Sequence, residues 1–200
     1  MGSPKEFLSY HKMAESKRMY QLLERLSQGG AYYSLRSDQA RLEPYRDARQ
    51  IIDSHDGWGP LASLVDAFKH VKNSSWLVVP VDMPFLDKGD LQRLLNARTK
   101  GRGIIAFVDG RGVIAPMPAV YEHSVAQMAR ELIARGQRAI RALGDGTEIL
   151  ALEPENAEHL KNINTPRDSR LTMGALHMKW GQSHSSRCFS QMKMRKAWPR

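Results

Sequence analysis

Residues 76–86, "WLVVPVDMPFL", decide how this chain is read. The nearly continuous apolar run Trp76–Val81 is the pattern of a strand buried on both faces, as in a parallel sheet packed between helices. Proline removes a ladder donor, so Pro80 belongs at the end of that strand. The run then stops on Asp82, held between Pro80 and Pro84. A carboxylate there is either a turn former or a group held out for a ligand.

On either side of this stretch, helical and extended patterns alternate. Met19, Leu22, Leu23 and Leu26 fall on one face of a helix over 16–26, which Gln28-Gly-Gly is expected to stop with a left-handed cap. "AYYSL" (31–35) and "RQIID" (49–53) read as short strands, the second ending in an acid. "SHDGWGP" supplies a turn, and Pro60 opens a helix whose Leu61, Leu64, Val65 and Phe68 share a face. Beyond Asp82, "LDKGDLQRLLNA" predicts a helix and "GIIAFV" (103–108) a strand followed by the turn "DGRG". Helices are expected over 121–135 and near 138–143, and a strand over 148–153. "NINTPRD" (162–168) predicts a loop that enters a helix through Thr165 and Pro166. The alternation predicts an α/β layer with a mostly parallel sheet.

Composition narrows the class. Two hundred residues suit one domain, and 42% hydrophobic with 26% charged residues are values of a globular protein. No apolar run approaches the roughly 20 residues that span a bilayer, and "MGSPKEFLSY" lacks an apolar signal core. Glu6 stands where a myristoylation motif requires Ser or Thr. One cysteine, Cys188, excludes an internal disulfide, and a cytoplasmic location is expected. The net charge of +9 is unevenly spread: from Leu171 onward there are six basic residues and no acid. The body shows no clustered basic patch, so nucleic acid is not the expected partner, and neither is a membrane. Residues 171–200, with four Met, two Trp and no sustained period, are expected to be a disordered or weakly helical basic tail behind a domain at 1–170.

In open α/β sheets, ligands bind beyond the carboxyl ends of the strands. Asp53 and Asp82 both occupy such positions. Held at neighbouring strand ends, as expected here, the pair suits a hard divalent cation bound together with nucleotide phosphates. Each aspartate is also readable as only a strand-end turn former or helix cap. Lys5 could meet phosphate oxygens or simply be a solvated terminal lysine. Asn162 and Asn164 could bind a polar substrate or fix their own turn. "GWGPL" (57–61) allows a close backbone approach, or is a plain loop. The seven histidines show no ligand spacing, and neither a Ser/His/Asp arrangement nor a Walker-type lysine loop is present.

Taken in order, "MGSPK…LSYH", "IIDSHDGWGPLASL", "WLVVPVDMPFLD", "ARGQRAIRAL" and "NINTPRD" resemble the nucleotidyltransferase-like family that includes the molybdenum cofactor guanylyltransferases. The resemblance spans about residues 1–170. It implies a Rossmann-like three-layer sandwich and transfer of GMP from GTP to molybdopterin, with release of pyrophosphate and with Mg²⁺. By that resemblance Lys5 contacts GTP, Asp53 binds nucleotide, and Asp82 binds Mg²⁺ and nucleotide. Asn162 and Asn164 lie on the substrate side, and Ser34 stands where the family often has a base-binding Asn. "DMP" favours the guanylyl over the cytidylyl branch. Molybdoenzyme-maturation proteins are the further partners so implied.

One departure stands out. Family members begin with a strand and a glycine-rich loop that cradles the triphosphate, whereas this chain starts at "MG", the last two residues of that loop. The missing strand is expected to leave its neighbours without a ladder partner. Buried unpaired backbone groups cost about 1–3 kcal/mol each, so impaired or no activity is expected of the chain as written, through an upstream start or decay. Two other readings remain: cytidylyl or sugar-phosphate nucleotidyl transfer on the same fold, and a non-catalytic remnant that binds an acidic partner through its basic tail.

Overall fold

The computed structural model describes residues 13–27, 29–43, 45–55, 57–98, 103–109, 112–162 and 187–192. The elements are α1 (Glu15–Leu26), β1 (Ala31–Leu35), β2 (Gln50–Ile52), α2 (Pro60–His70), β3 (Ser75–Pro80), α3 (Lys88–Asn96), β4 (Ile104–Val108), β5 (Ile114–Tyr121), α4 (Ala126–Ala134), β6 (Ile149–Leu152) and β7 (Arg187–Met192). Short 3-10 turns lie at His123–Val125, Ile140–Gly146 and Ala157–Leu160. The strands form one sheet in the order β2-β1-β7-β3-β5-β4-β6. β1, β2, β3, β4 and β6 run one way, and β5 and β7 run against them.

Side-chain alternation along the strands explains the layers. On one face Leu77, Val79, Ile105 and Phe107 join Tyr33 and Leu35 against Met19 and Leu23 of α1 and Leu91 and Leu94 of α3. On the other, Trp76, Val78, Ile104 and Ala106 meet Leu61, Leu64 and Phe68 of α2 and Ala126 and Ala129 of α4. Every residue of β3 and of β4 is buried, as a strand covered on both faces must be. The molecule is therefore the expected α/β sandwich, with helices on both faces of a sheet whose strands mostly share a direction. β3 does end at Pro80, as its missing N–H requires.

The structure corrects the sequence reading at several points. α1 ends on an extended Ser27 whose amide donates to Leu23, not on a left-handed glycine; Gly30, at φ +91°, comes later. Strand β5 lies in a stretch for which no strand was expected, and the helix expected over 121–135 is confined to a 3-10 turn and α4. The largest correction concerns 187–192. These residues lie within the stretch expected to be an irregular tail, yet they form β7, antiparallel to both β1 and β3. β1 and β3 are thus joined in the ladder by residues 187–192. The loop and helix expected around Thr165 and Pro166 lie outside the described residues.

Candidate active site

Because β1, β2 and β3 share a direction, the residues that follow them emerge at one edge of the sheet. Asp53 leaves β2 there, half-buried, with its amide donating to the Leu35 carbonyl at 2.8 Å. The hydroxyl of Ser34, a buried residue of β1, donates to Asp53 Oδ1 at 2.8 Å. Ser34 thus orients the Asp53 carboxylate. The next residue is anchored to α2: the Ser54 amide and hydroxyl reach the Asp66 carboxylate at 2.7–2.9 Å, and Lys69 Nζ lies 3.2 Å from the same carboxylate. Gly57 (φ +77°) and Gly59 (φ +78°) then bracket Trp58 in a backbone that L side chains rarely adopt. The Trp58 ring lies beneath the Arg138 guanidinium, 4.9 Å from its centroid, a cation–π contact that joins "GWGPL" to "ARGQRAIRAL".

The end of β3 is built differently. Val81 and Met83 are buried, and Asp82 between them is half-buried. The Leu86 amide donates to the Met83 carbonyl at 3.2 Å and closes the turn. Arg18 of α1 then clamps the loop: its guanidinium donates to the carbonyls of Pro84 at 3.3 Å and Leu86 at 3.1 Å, and to the carboxylate of Glu15. Glu15 is fully buried, so its charge requires this partner. On the far side, Asp87 and Asp90 form a reciprocal capping box at the start of α3, each carboxylate accepting from the other's backbone amide at 3.0–3.1 Å. Burial pushes the Asp87 carboxyl up, but the backbone amides of Asp90 and Gly89 and the nearby His159 outweigh it and hold it below the ordinary carboxylate range. Asp82 is thereby presented from a loop fixed at both ends.

The two acids share an edge but not neighbouring strands. In the order β2-β1-β7-β3 they are three strand intervals apart, about 14 Å at normal strand spacing. One divalent cation, with oxygen ligands about 2.1 Å away, cannot touch both. The expectation of neighbouring strand ends is corrected: β1 and β7 lie between the strand that ends before Asp53 and the strand that ends before Asp82.

Asn162 is exposed and follows the 3-10 turn Ala157–Leu160. His159 in that turn lies 2.8 Å, through Nδ1, from the buried Asp90 carboxylate, which tethers this segment to the start of α3. The Asn162 Cα, three residues on, is thus within about 11 Å of the His159 Cα. Lys5 and Asn164 lie outside the described residues. Arg18 and Glu15 were missed as supports of the Asp82 loop; an (i, i+3) charge pair opening an amphipathic helix is an ordinary surface pattern, and nothing local marks it as buried.

Two other features are separate from these acids. Asp87, Asp90 and His159 place one ligand atom each within 4.8 Å of one another, in a cluster already engaged in capping and tethering. An open depression of about 770 Å³ lined by Ala40, Arg41, Arg46, Ala48 and Gln50 includes neither Asp53 nor Asp82.

The model of the MobA-like NTP transferase domain matches residues 1–150. The chain belongs to this family. It is a nucleotidyltransferase. It is 32% identical over 178 residues to the molybdenum cofactor guanylyltransferase of Xanthomonas euvesicatoria pv. vesicatoria, covering 86% of this chain and 87% of that one. It is 27% identical over 147 residues to the "Probable molybdenum cofactor guanylyltransferase" of Chloroflexus aggregans, covering 70% and 71% of the two chains. Among solved structures, molybdopterin-guanine dinucleotide biosynthesis protein A from Archaeoglobus fulgidus superposes with a TM-score of 0.68 at 22% identity, over 84% of this chain and 88% of that one. The 2-C-methyl-D-erythritol 4-phosphate cytidylyltransferase of Thermus thermophilus gives 0.61 at 17% identity, over 84% and 92%. At these identities the structural likenesses bear on the fold alone. Among the described residues no helix is long and apolar enough to cross a membrane.

Proposed function

We propose that this nucleotidyltransferase transfers GMP from GTP to molybdopterin and releases pyrophosphate, with Mg²⁺. The observation that carries this reading is the edge at which β2 and β3 both end, with Asp82 presented on a doubly anchored loop and Asp53 oriented by Ser34. The guanylyltransferase relatives, one matching over 86% of the chain, support the choice of nucleotide and acceptor.

In the reaction so read, a phosphate oxygen of the acceptor forms a bond to the α-phosphorus of GTP, and the bond to the β-phosphate oxygen breaks. Asp82 offers carboxylate oxygens, the donor type that Mg²⁺ prefers, and is the residue that would hold it. When bound, Mg²⁺ neutralises charge that grows on the phosphates in the transition state. Asp53 accepts hydrogen bonds from the nucleoside end, its orientation set by the Ser34 hydroxyl. The Pro84 and Leu86 carbonyls, fixed by Arg18, keep the Asp82 loop from rearranging as charge develops, so little reorganisation accompanies the step. Lys5 meets the phosphates, and Asn162 and Asn164 bind on the acceptor side.

The test is pyrophosphate release from GTP on addition of molybdopterin, with CTP, ATP and UTP as competitors. Release that depends on the acceptor and is inhibited only weakly by CTP supports the guanylyl reading. Preferential use of CTP, or of a sugar phosphate as acceptor, replaces it with the corresponding transferase. No nucleotide binding at all leaves this edge without the proposed role.

A further inference from the structure

One buried carboxylate joins two segments of the proposed site. Asp90 Oδ2, on α3, accepts from the Asp87 amide at 3.1 Å, where the loop that begins at Asp82 enters the helix. The same oxygen lies 2.8 Å from Nδ1 of His159, in the 3-10 turn that precedes Asn162. A carboxylate accepts, so Nδ1 is the donor. Other contacts also hold residues 153–162. Arg93 of α3 donates through Nη2 to the Glu153 carbonyl at 2.9 Å and lies 3.4 Å from the Glu155 carboxylate. Leu160 packs on the cluster that contains Leu91 and Leu94 of α3. These contacts fix different things. Arg93 fixes the start of the stretch, before the turn. Apolar contact at Leu160 is non-directional, so it sets depth and not angle. The hydrogen bond from His159 is directional and made to a buried group, so it fixes the angle at which the chain runs on to Asn162.

We propose that His159 is a positioning residue: through Asp90 it holds the segment leading to Asn162 in a fixed relation to the loop that presents Asp82, and so sets affinity for the acceptor. This rests on the nucleotidyl-transfer reading above, in which Asn162 meets the acceptor. A single 3-10 turn is marginal by itself, so its placement depends on what its side chains reach. Loss of the His159 hydrogen bond leaves Leu160 in its seat but frees the turn to swing about it. Asp90 keeps the Asp87 amide, and Asp87 keeps the Asp90 amide, so the cap of α3 and the end of the Asp82 loop survive. The cost therefore falls on the acceptor, and not on GTP or on the chemical step.

Three variants of the full chain test this by pyrophosphate release and amide exchange. His159→Ala is expected to raise the KM for molybdopterin about tenfold, with kcat and the KM for GTP little changed. His159→Asn keeps a nitrogen donor bonded to Cγ, where Nδ1 stands, and is expected to recover most of that loss. Glu158→Ala removes an exposed side chain of the same turn, paired with Lys161, and is expected to leave the molybdopterin KM unchanged. Exchange needs no turnover. The His159 and Lys161 amides donate to the Asn156 and Glu158 carbonyls within the turn, and should exchange about tenfold faster in His159→Ala and near the parent rate in His159→Asn. Unchanged exchange in His159→Ala overturns the tether, and equal losses in the Ala and Asn variants overturn the hydrogen bond as its cause. A rise in KM shared by GTP and molybdopterin, a fall confined to kcat, or the same effect in Glu158→Ala overturns the positioning role. If the parent releases no pyrophosphate, the acceptor role falls with the nucleotidyl-transfer reading, and exchange still decides whether His159 and Asp90 seat the turn.

Discussion

The ends of β2 and β3 each present an aspartate to the same edge of the sheet, yet they are built in opposite ways. The Asp82 loop lies between two buried residues, is clamped by Arg18 on one side and opens a capped helix on the other. The Asp53 segment runs on through exposed residues and two positive-φ glycines, and its fixed points are short polar contacts: Ser34 to Asp53 and Ser54 to Asp66. On the proposed reading of the site, the difference teaches a division of labour. A group that meets a metal and a reacting phosphate must not move as charge develops, whereas a group that recognises a nucleoside can sit on a segment that adapts.

Substitutions can break this contrast, and the largest effect is expected at Asp82. Asp82→Asn should lower kcat/KM by about 10²–10³-fold. Steady-state pyrophosphate release measures that fall. Next comes Arg18→Ala, which leaves the Glu15 charge buried and releases the Pro84 and Leu86 carbonyls. It should destabilise the fold by about 3 kcal/mol and reduce kcat more than it raises KM, as read from denaturant unfolding and kinetics. Arg18→Lys should recover only part of this, because an ammonium lacks the planar fork that serves a carboxylate and two carbonyls together.

A smaller effect is expected across the sheet. Ser34→Ala removes one hydrogen bond to a carboxylate, about 1.5 kcal/mol, and should raise the KM for GTP about tenfold with kcat little changed. An equal fall in kcat would show that the Asp53 side takes part in the chemical step no less than the Asp82 side, and the contrast would be lost. The smallest effect belongs to the cap beneath the Asp82 loop. Asp87 titrates below the ordinary carboxylate range in the folded chain, so its contribution is present above the unfolded value near 4 and is lost as pH falls through the folded one. Asp87→Asn keeps an N-cap acceptor but not the charge, so the melting temperature at pH 7 should fall slightly and the difference from the parent should close as pH drops below about 4.

How much of this was legible depended on whether burial or pairing carried the signal. β3 and α2 announce themselves, because a strand covered on both faces must be apolar throughout and Pro60 suits the first turn of a helix. β5 was hidden by Pro116 and Pro118. The structure accommodates them where the β4–β5 register is irregular, between Ala106 and Val108, and resumes ordinary pairing from Ala119. β7 was hidden for a different reason: "RCFSQM" has no alternation or apolar run to reveal it, and its place follows from two neighbours with unpaired edges, a property of the fold and not of the segment. At the site, the acids could be read as strand-end residues, but not their separation, because the order of strands in a sheet is set by long-range pairing. Arg18 and Glu15 were illegible for the same reason: 66 and 68 residues separate Arg18 from the carbonyls it holds.

The most direct test of the division between the two ends is the Mg²⁺ dependence of GTP binding, measured by calorimetry with Mg²⁺ and again with chelator, on the parent chain, Asp82→Asn and Ser34→Ala. The parent and Ser34→Ala should both bind GTP more tightly with Mg²⁺, Ser34→Ala being weaker under either condition, while Asp82→Asn should show no gain from Mg²⁺. A full Mg²⁺ gain in Asp82→Asn would contradict the account.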